Sequence, residues 1–378
     1  MRLLVVNDLL QGGGVEKLMY DIVMQFHSEY EITVFTDKLD KDFKTLYPDD
    51  VQYIFQMEHE YAVPNNRFKR KIIQCVRRYK EYRLKRRIID MNFDAMLCMK
   101  EGWIMLMALT YGSTIPCKIS WNHTDYSKSY YTKSWFQTAE NEVKCMQKFN
   151  QIVCVSKVIM DSIKSVIGDP GNLVVLYNPL DKVDIIKRGL EPVEDIVRHE
   201  CPLFVTVGRL NRQKGYDILL EVCNLLNAEG YVYEVWIIGG GEEWNKYEVL
   251  HDLEDKIYKY NLSNVYLLGH KANPYKYMKQ GDWFLSTSRY EGYSYVSQEA
   301  ALLGKALMLT SCSGVIELLG SKENGIILEN SFKGIYLGMK EAIKNPQNYF
   351  LYQRRVPIKD ASYYKDDRMK AIELLWRG

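Results

Sequence analysis

Glu291 and Glu299 close the two ends of Glu291-Gly292-Tyr293-Ser294-Tyr295-Val296-Ser297-Gln298-Glu299, separated by seven residues. Two glutamates at this spacing can be no more than solvated helix charges, so their setting decides. The segment Asp282-Trp283-Phe284-Leu285-Ser286-Thr287-Ser288 before them reads as a short buried strand. After Tyr295 the apolar positions shift to helical spacing. One carboxylate then belongs to a strand-to-helix loop and the other to the second or third turn of the helix. Between them lie a glycine and the first N–H groups of that helix, pointing where an anion would bind. Such a layout can hold a sugar hydroxyl, a diphosphate and a ribose in sequence.

Cations stand in a second loop. Val207-Gly208-Arg209-Leu210-Asn211-Arg212-Gln213-Lys214-Gly215 follows the apolar run Leu203–Val207. Arg209 and Lys214 fall at the C-terminal end of that strand, where open α/β sheets bind ligands. A planar guanidinium fork and a point-charge ammonium suit a diphosphate, although taken alone they also fit two surface charges. Gly12-Gly13-Gly14 precedes the first helix without GxGxxG spacing, so it is no dinucleotide fingerprint. It reads as a tight βα turn or as a place where a ligand nears the backbone. His123, in Trp121-Asn122-His123-Thr124-Asp125, follows another strand-like run and fits a structural or a catalytic role. Asp40-Lys41-Asp42 has the form of a metal-nucleotide motif but sits in a polar run, so no metal site is expected.

The elements that must position these residues alternate in βαβ rhythm. Leu3–Val6, Ile32–Thr36, Gln52–Phe55, Ala95–Met99, Lys118–Trp121 and Gln151–Val155 read as parallel strands of a first doubly wound sheet. Leu203–Gly208, Tyr233–Gly239, Val265–Leu268, Trp283–Ser286 and Ala306–Leu309 form a second. Tyr177-Asn178-Pro179-Leu180-Asp181 punctuates the two, and 378 residues exceed what one core fills. The expected domains are 1–178, 179–360 and a C-terminal helix in 361–378 that crosses back to the first. Net charge +2 gives no whole-chain pull toward nucleic acid, and eight scattered cysteines without a CxxC pair suggest reduced thiols in a cytoplasmic protein. The start reads as a first strand rather than a signal peptide. Arg67–Arg87 holds eleven Lys or Arg against one acid, with Phe68, Ile72, Val76 and Tyr79 on one helical face. That pattern reads as an element lying on an anionic membrane surface, peripheral on the inner face, or as a core helix with a charged solvent side.

Taken together, these motifs resemble the family 4 retaining glycosyltransferases of the GT-B fold, in which two Rossmann-like domains face each other across a cleft. The resemblance runs from Gly12 to about Glu317 and is strongest at Val207–Gly215, Trp236–Gly241, Asn273-Pro274-Tyr275 and Ser288–Ala300. It implies transfer of a hexose or N-acetylhexosamine from a nucleotide sugar, a UDP-sugar by family frequency, without metal or other cofactor. The acceptor implied is a saccharide, lipid-linked, in synthesis of a surface polysaccharide such as capsule, exopolysaccharide or O-antigen. Carried over by position, Arg209 and Lys214 would bind the diphosphate, Glu291 the transferred sugar and Glu299 the ribose. Gly292, Tyr293, Ser294, Tyr295 and Val296 would meet the phosphates, with Gly239 and Gly240 also at the donor. Lys271 would lie near the base, while from the first domain Gly13 and Gly14 would approach the donor or acceptor and His123 would reach the donor sugar. Many relatives continue Gly-Phe-Gly or Gly-Phe-Pro after the first glutamate, whereas this chain has Gly292-Tyr293-Ser294, which leaves the donor sugar open. A UDP-sugar epimerase and a non-catalytic GT-B partner subunit are the competing readings.

Overall fold

The computed structural model describes all residues except 11–12, 40–46, 56–66, 241–245, 321–323, 354–365 and 378. The chain divides into two compact units, Met1–Pro179 with Asp367–Gly378, and Leu180–Asp366.

In the first unit, β1 (Arg2–Leu10), β2 (Glu31–Leu39), β3 (Gln52–Phe55), β4 (Ala95–Cys98), β5 (Cys117–Asn122), β6 (Gln151–Cys154) and β7 (Leu173–Val175) form a parallel sheet ordered β3-β2-β1-β4-β5-β6-β7. Leu3, Leu4, Val5 and Val6 are all fully buried. A parallel strand covered on both faces needs such a continuous apolar run rather than alternation. Helix Gly14–Phe26 packs onto the sheet through Leu18, Met19, Ile22, Val23 and Phe26, at helical spacing. Helix Asp366–Arg377 joins this unit. Trp376 meets Phe26 edge-on at 5.3 Å between centroids, Tyr30 Oη donates to Glu373 (2.5 Å), and Arg377 Nε donates to Tyr30 Oη (2.7 Å).

The second unit repeats the plan. β8 (Leu203–Val207), β9 (Glu234–Ile238), β10 (Val265–Gly269), β11 (Trp283–Ser286), β12 (Ala306–Thr310) and β13 (Ile326–Leu328) are parallel and ordered β10-β9-β8-β11-β12-β13. Phe204, Leu220, Cys223, Val235, Trp283, Met308 and Met339 belong to one buried cluster beneath the helices. In each sheet the chain runs outward in one direction, returns to the first strand and continues the other way. The reversal falls between β1 and β4 and between β8 and β11. At such points the strand-end loops diverge and leave a crevice.

Three features differ from the sequence reading. The three-residue edge strands β7 and β13 are too short to give a pattern and are absent from it. The charged stretch after Pro179 contains a helix, Lys182–Gly189, which Asp181 caps by accepting from Asp184 N (3.0 Å). Helix Arg67–Asp90 spans the basic stretch, but Val76 and Tyr79 on its apolar face are 40% and 61% exposed. Core packing holds near its C-terminal end, at Ile88; the side chains of Phe68 and Ile72 lie outside the described ones. Among the described residues no helix is long and apolar enough to cross a membrane.

Candidate active site

The loops leaving β8 and β11 are joined at the reversal of the second sheet. Arg289 N donates to Gln213 O (2.8 Å), Gln213 Nε2 to Tyr290 O (3.0 Å) and Thr287 Oγ1 to Lys214 O (2.8 Å). Gly215 turns left-handed, φ +67°, against Thr287 O, where a Cβ would stand 2.2 Å away. A side chain there would both strain the backbone and force the loops apart. Arg289 forks onto Asp217, Nη1 to Oδ1 at 2.8 Å and Nη2 to Oδ2 at 2.7 Å, while Nη1 also reaches Arg212 O (2.6 Å). Burial opposes ionisation of Asp217, but Arg289 outweighs it and holds the carboxyl below its usual range. This frame sets Lys214 Nζ 2.5 Å from Glu291 Oε1, which also accepts from Ser288 Oγ (2.9 Å). The two side chains are only 14% and 15% exposed.

Beside this pair begins helix Tyr295–Leu302. Ser294 Oγ caps Ser297 N, and Gln298 N bonds back to Ser294 O. The N–H groups of Tyr295 and Val296 precede that bond and have no acceptor within the helix, so its positive end faces the loop of Glu291. Glu299 is buried in the second turn, where its Oε1 accepts from Tyr275 Oη (2.9 Å). Glu291, Ser294, Thr310, Cys312 and Gly314 line a recess here. Burial pushes the Cys312 thiol up to about 11, so it stays protonated and donates to Ser288 O (3.0 Å).

At the reversal of the first sheet the charges are arranged differently. Lys100, just past β4, donates to Asp8 Oδ1 (2.7 Å) and Glu16 Oε1 (3.1 Å). Burial pulls its ammonium down, yet Glu16 and Asp8 more than offset this and hold it above the ordinary value. The second Glu16 oxygen lies over Gly13, 2.4 Å from where a Cβ would stand. His123 follows β5, with Nε2 3.0 Å from Met99 O. A carbonyl only accepts, so Nε2 carries the proton and Nδ1 the lone pair. Burial lowers the imidazole below its ordinary value against the pull of Glu101, and the ring is neutral at pH 7. Glu101, itself buried, accepts from His123 N (3.1 Å) and from the Tyr131 hydroxyl.

Residues 12–183 match the Glycosyltransferase Family 4 model and residues 193–357 match Glycosyl transferases group 1. The chain belongs to the family 4 glycosyltransferases. The N-acetylgalactosamine-N,N'-diacetylbacillosaminyl-diphospho-undecaprenol 4-alpha-N-acetylgalactosaminyltransferase of Campylobacter jejuni is 26% identical over 287 residues, 74% of each chain. The capsular polysaccharide biosynthesis glycosyltransferase CapM of Staphylococcus aureus is 28% identical over 138 residues, 36% of this chain and 34% of its own. Among solved structures, Anabaena HepE in complex with UDP and glucose superposes with a TM-score of 0.75 at 16% identity, covering all of both chains. Its likeness gives the fold, GT-B.

Within this glycosyltransferase, Lys214, Glu291, Gly292, Tyr293, Ser294, Tyr295 and Val296 lie in one loop pair and helix start, with Arg209 exposed on the loop directly after β8. Gly240 O accepts from Leu210 N (2.8 Å) and so ties the Arg209 loop to the end of β9, while a Cβ on Gly239 would overlap Gly208 O. Lys271 is engaged elsewhere. It pairs with Asp195 Oδ2 (2.6 Å) and lies over the Tyr277 ring. His123 and Gly13 belong to the cluster at the end of the first sheet, and Gly14 opens its helix. Gly12, Gly241 and Asp40-Lys41-Asp42 lie outside the described residues. Sequence reasoning missed Arg289, Asp217, Tyr275, Lys100 and Glu101, whose roles depend on partners 22 to 92 positions away. Two signals were at hand, since Arg289 lies inside Ser288–Ala300 and Tyr275 ends Asn273-Pro274-Tyr275.

Proposed function

We propose that this glycosyltransferase moves a hexose or N-acetylhexosamine from a UDP-sugar to a lipid-linked saccharide, with retention at the anomeric carbon, in surface-polysaccharide synthesis. The observation that carries this reading is the Lys214–Glu291 pair beside a helix N-terminus at the reversal of the second sheet. Here a cation and a dipole suit a diphosphate, and a carboxylate suits the hydroxyls of the sugar next to it. In the reaction the C1–O bond to the diphosphate breaks and the acceptor oxygen bonds to C1 from the same face. The acceptor proton passes to a diphosphate oxygen, and UDP leaves. Lys214, Arg209 and the Tyr295–Val296 N–H groups stabilise the charge that develops on the diphosphate, so no metal is required. Glu291 accepts from the sugar, and Glu299, oriented by Tyr275, accepts from the ribose. His123 Nδ1 accepts from a sugar hydroxyl.

The diphospho-undecaprenol acceptor in the name of the Campylobacter relative supports a lipid-linked acceptor, and UDP in the HepE complex supports the nucleotide. The exposed Arg78, Arg83 and Arg86, beside Tyr79 and Tyr82, support docking of helix Arg67–Asp90 on anionic lipid. Undiminished sedimentation with phosphatidylglycerol vesicles after Arg78→Glu and Arg86→Glu would discard that part. For the reaction, nucleotide release is measured from UDP-, GDP- and ADP-sugars with and without polyprenyl-linked saccharide. The expected result is UDP release that rises with acceptor. Epimer formation without transfer, or a protein that binds no nucleotide, would replace this reading with the epimerase or the partner subunit.

A further inference from the structure

Trp135 and Tyr131 are 51% and 45% exposed, although both sit beside the charged cluster of the first unit. Tyr131 is tethered by its hydroxyl to the buried Glu101 carboxylate, and its carbonyl accepts from Ser134 N and Oγ (3.2 and 2.8 Å). Burial of the hydroxyl and the nearby Glu101 charge raise its pKa, so the group remains a donor. Trp135 lies 6.4 Å from Trp103 between ring centroids, tilted by 43°. Gly102 joins the two loops, at φ +82°. A Cβ there would stand 3.6 Å from Tyr131 Cε2 and 3.7 Å from Trp135 Cδ1, so both rings converge on its bare Cα. The rings are therefore held in place while both residues stay about half exposed.

We propose that Trp135, Tyr131 and Trp103 form a stacking platform for one pyranose ring of the saccharide acceptor. A pyranose presents C–H bonds on its faces and hydroxyls on its rim. The negative face of an aromatic ring attracts the C–H face, and fixed rings pay little conformational entropy on binding. The Glu101 carboxylate, which accepts from the Tyr131 hydroxyl and from His123 N, brings an acceptor group to the edge of the platform. That mixture of aromatic area and a few placed polar groups is the make-up of a small-ligand site. The same rings could instead insert into a bilayer, but the carboxyl group bonded to Tyr131 disfavours hydrocarbon beside it. Assigning the sugar to the acceptor rests on the transferase reading; the stacking itself does not.

The test uses Trp135→Ala and Trp135→Phe, each checked for an unchanged melting temperature. Binding is read by tryptophan fluorescence against a short-chain prenyl diphosphate carrying an N-acetylgalactosamine disaccharide, and against the prenyl diphosphate alone. Trp135→Ala is expected to weaken the disaccharide ligand on the order of tenfold, to leave the sugar-free ligand unaffected, and to be largely rescued by Trp135→Phe. In turnover, KM for the acceptor should rise by a similar factor while KM for the donor stays put. Unchanged disaccharide binding overturns the platform, as does an equal loss for both ligands, which would mark a lipid contact. A rise confined to the donor KM would overturn the acceptor assignment. Because the binding arm needs no turnover, a chain without transferase activity that still shows the disaccharide-specific loss keeps the platform and discards only the reaction.

Discussion

At the end of β4 a lysine sits between two carboxylates; at the end of β8 another sits against one. Both ends mark the strand reversal of a parallel sheet. In the first unit, Asp8, Glu16 and Glu101 surround Lys100 and a neutral His123, so the cluster is rich in acceptors and closed to phosphate. In the second, Lys214 and a helix N-terminus stand beside Glu291, Arg209 is exposed on the adjoining loop, and Arg289 is matched by Asp217. The same topology thus yields one site suited to hydroxyl groups and one suited to an anion.

The contrast is broken most directly at Lys214. Lys214→Ala and Glu291→Gln should each lower turnover on the order of 10²–10³ while circular dichroism stays that of a folded protein. Near-full activity in either well-folded variant would remove the second reversal as the diphosphate site. Lys100→Met should show the opposite profile, since Asp8 and Glu16 would face each other without a cation. A loss of about 2–3 kcal/mol in urea unfolding is expected, discounted for an ammonium that is partly solvated. A variant as stable as the parent would mean that this lysine is not structural. Arg289→Ala should cost about tenfold in kcat by loosening the loop that presents Lys214, and Arg289→Lys should not restore it, because a point charge cannot replace a bidentate fork. Equal activity of the arginine and lysine forms would rule out that positioning role.

The smallest effect concerns pH. Burial places the His123 imidazole below its ordinary 6.5, so the neutral ring persists as pH falls from 8 through that value. Only below it does protonation turn Nδ1 from acceptor into donor, and the acid limb of kcat/KM should lie there. Because the unfolded histidine takes up its proton first, the stability contributed by the neutral ring also fades below 6.5. An acid limb centred above the ordinary value, and still present in His123→Asn, would belong to another group.

Much of this was readable because a buried parallel strand leaves a dense apolar run. Trp283–Ser286 coincides with β11 residue for residue. Ser294 marks a helix start by its own chemistry, and Glu299 follows one turn on. What stayed hidden depends on distant partners. Nothing local says that Lys100 meets Asp8 across 92 positions, or that Arg289 closes on Asp217 across 72. Lys271 shows the same limit from the other side, since a motif position did not reveal Asp195 as its partner.

Helix Asp366–Arg377 packs on Phe26 and Tyr30, and the whole second unit lies between those residues and the helix in the chain. On a ribosome, then, the first unit waits with this aromatic face uncovered while residues 180–366 are made. At elongation rates of about 5–20 residues per second the delay is on the order of ten to forty seconds. For that interval the nascent chain shows chaperones and proteases a patch that the folded protein hides.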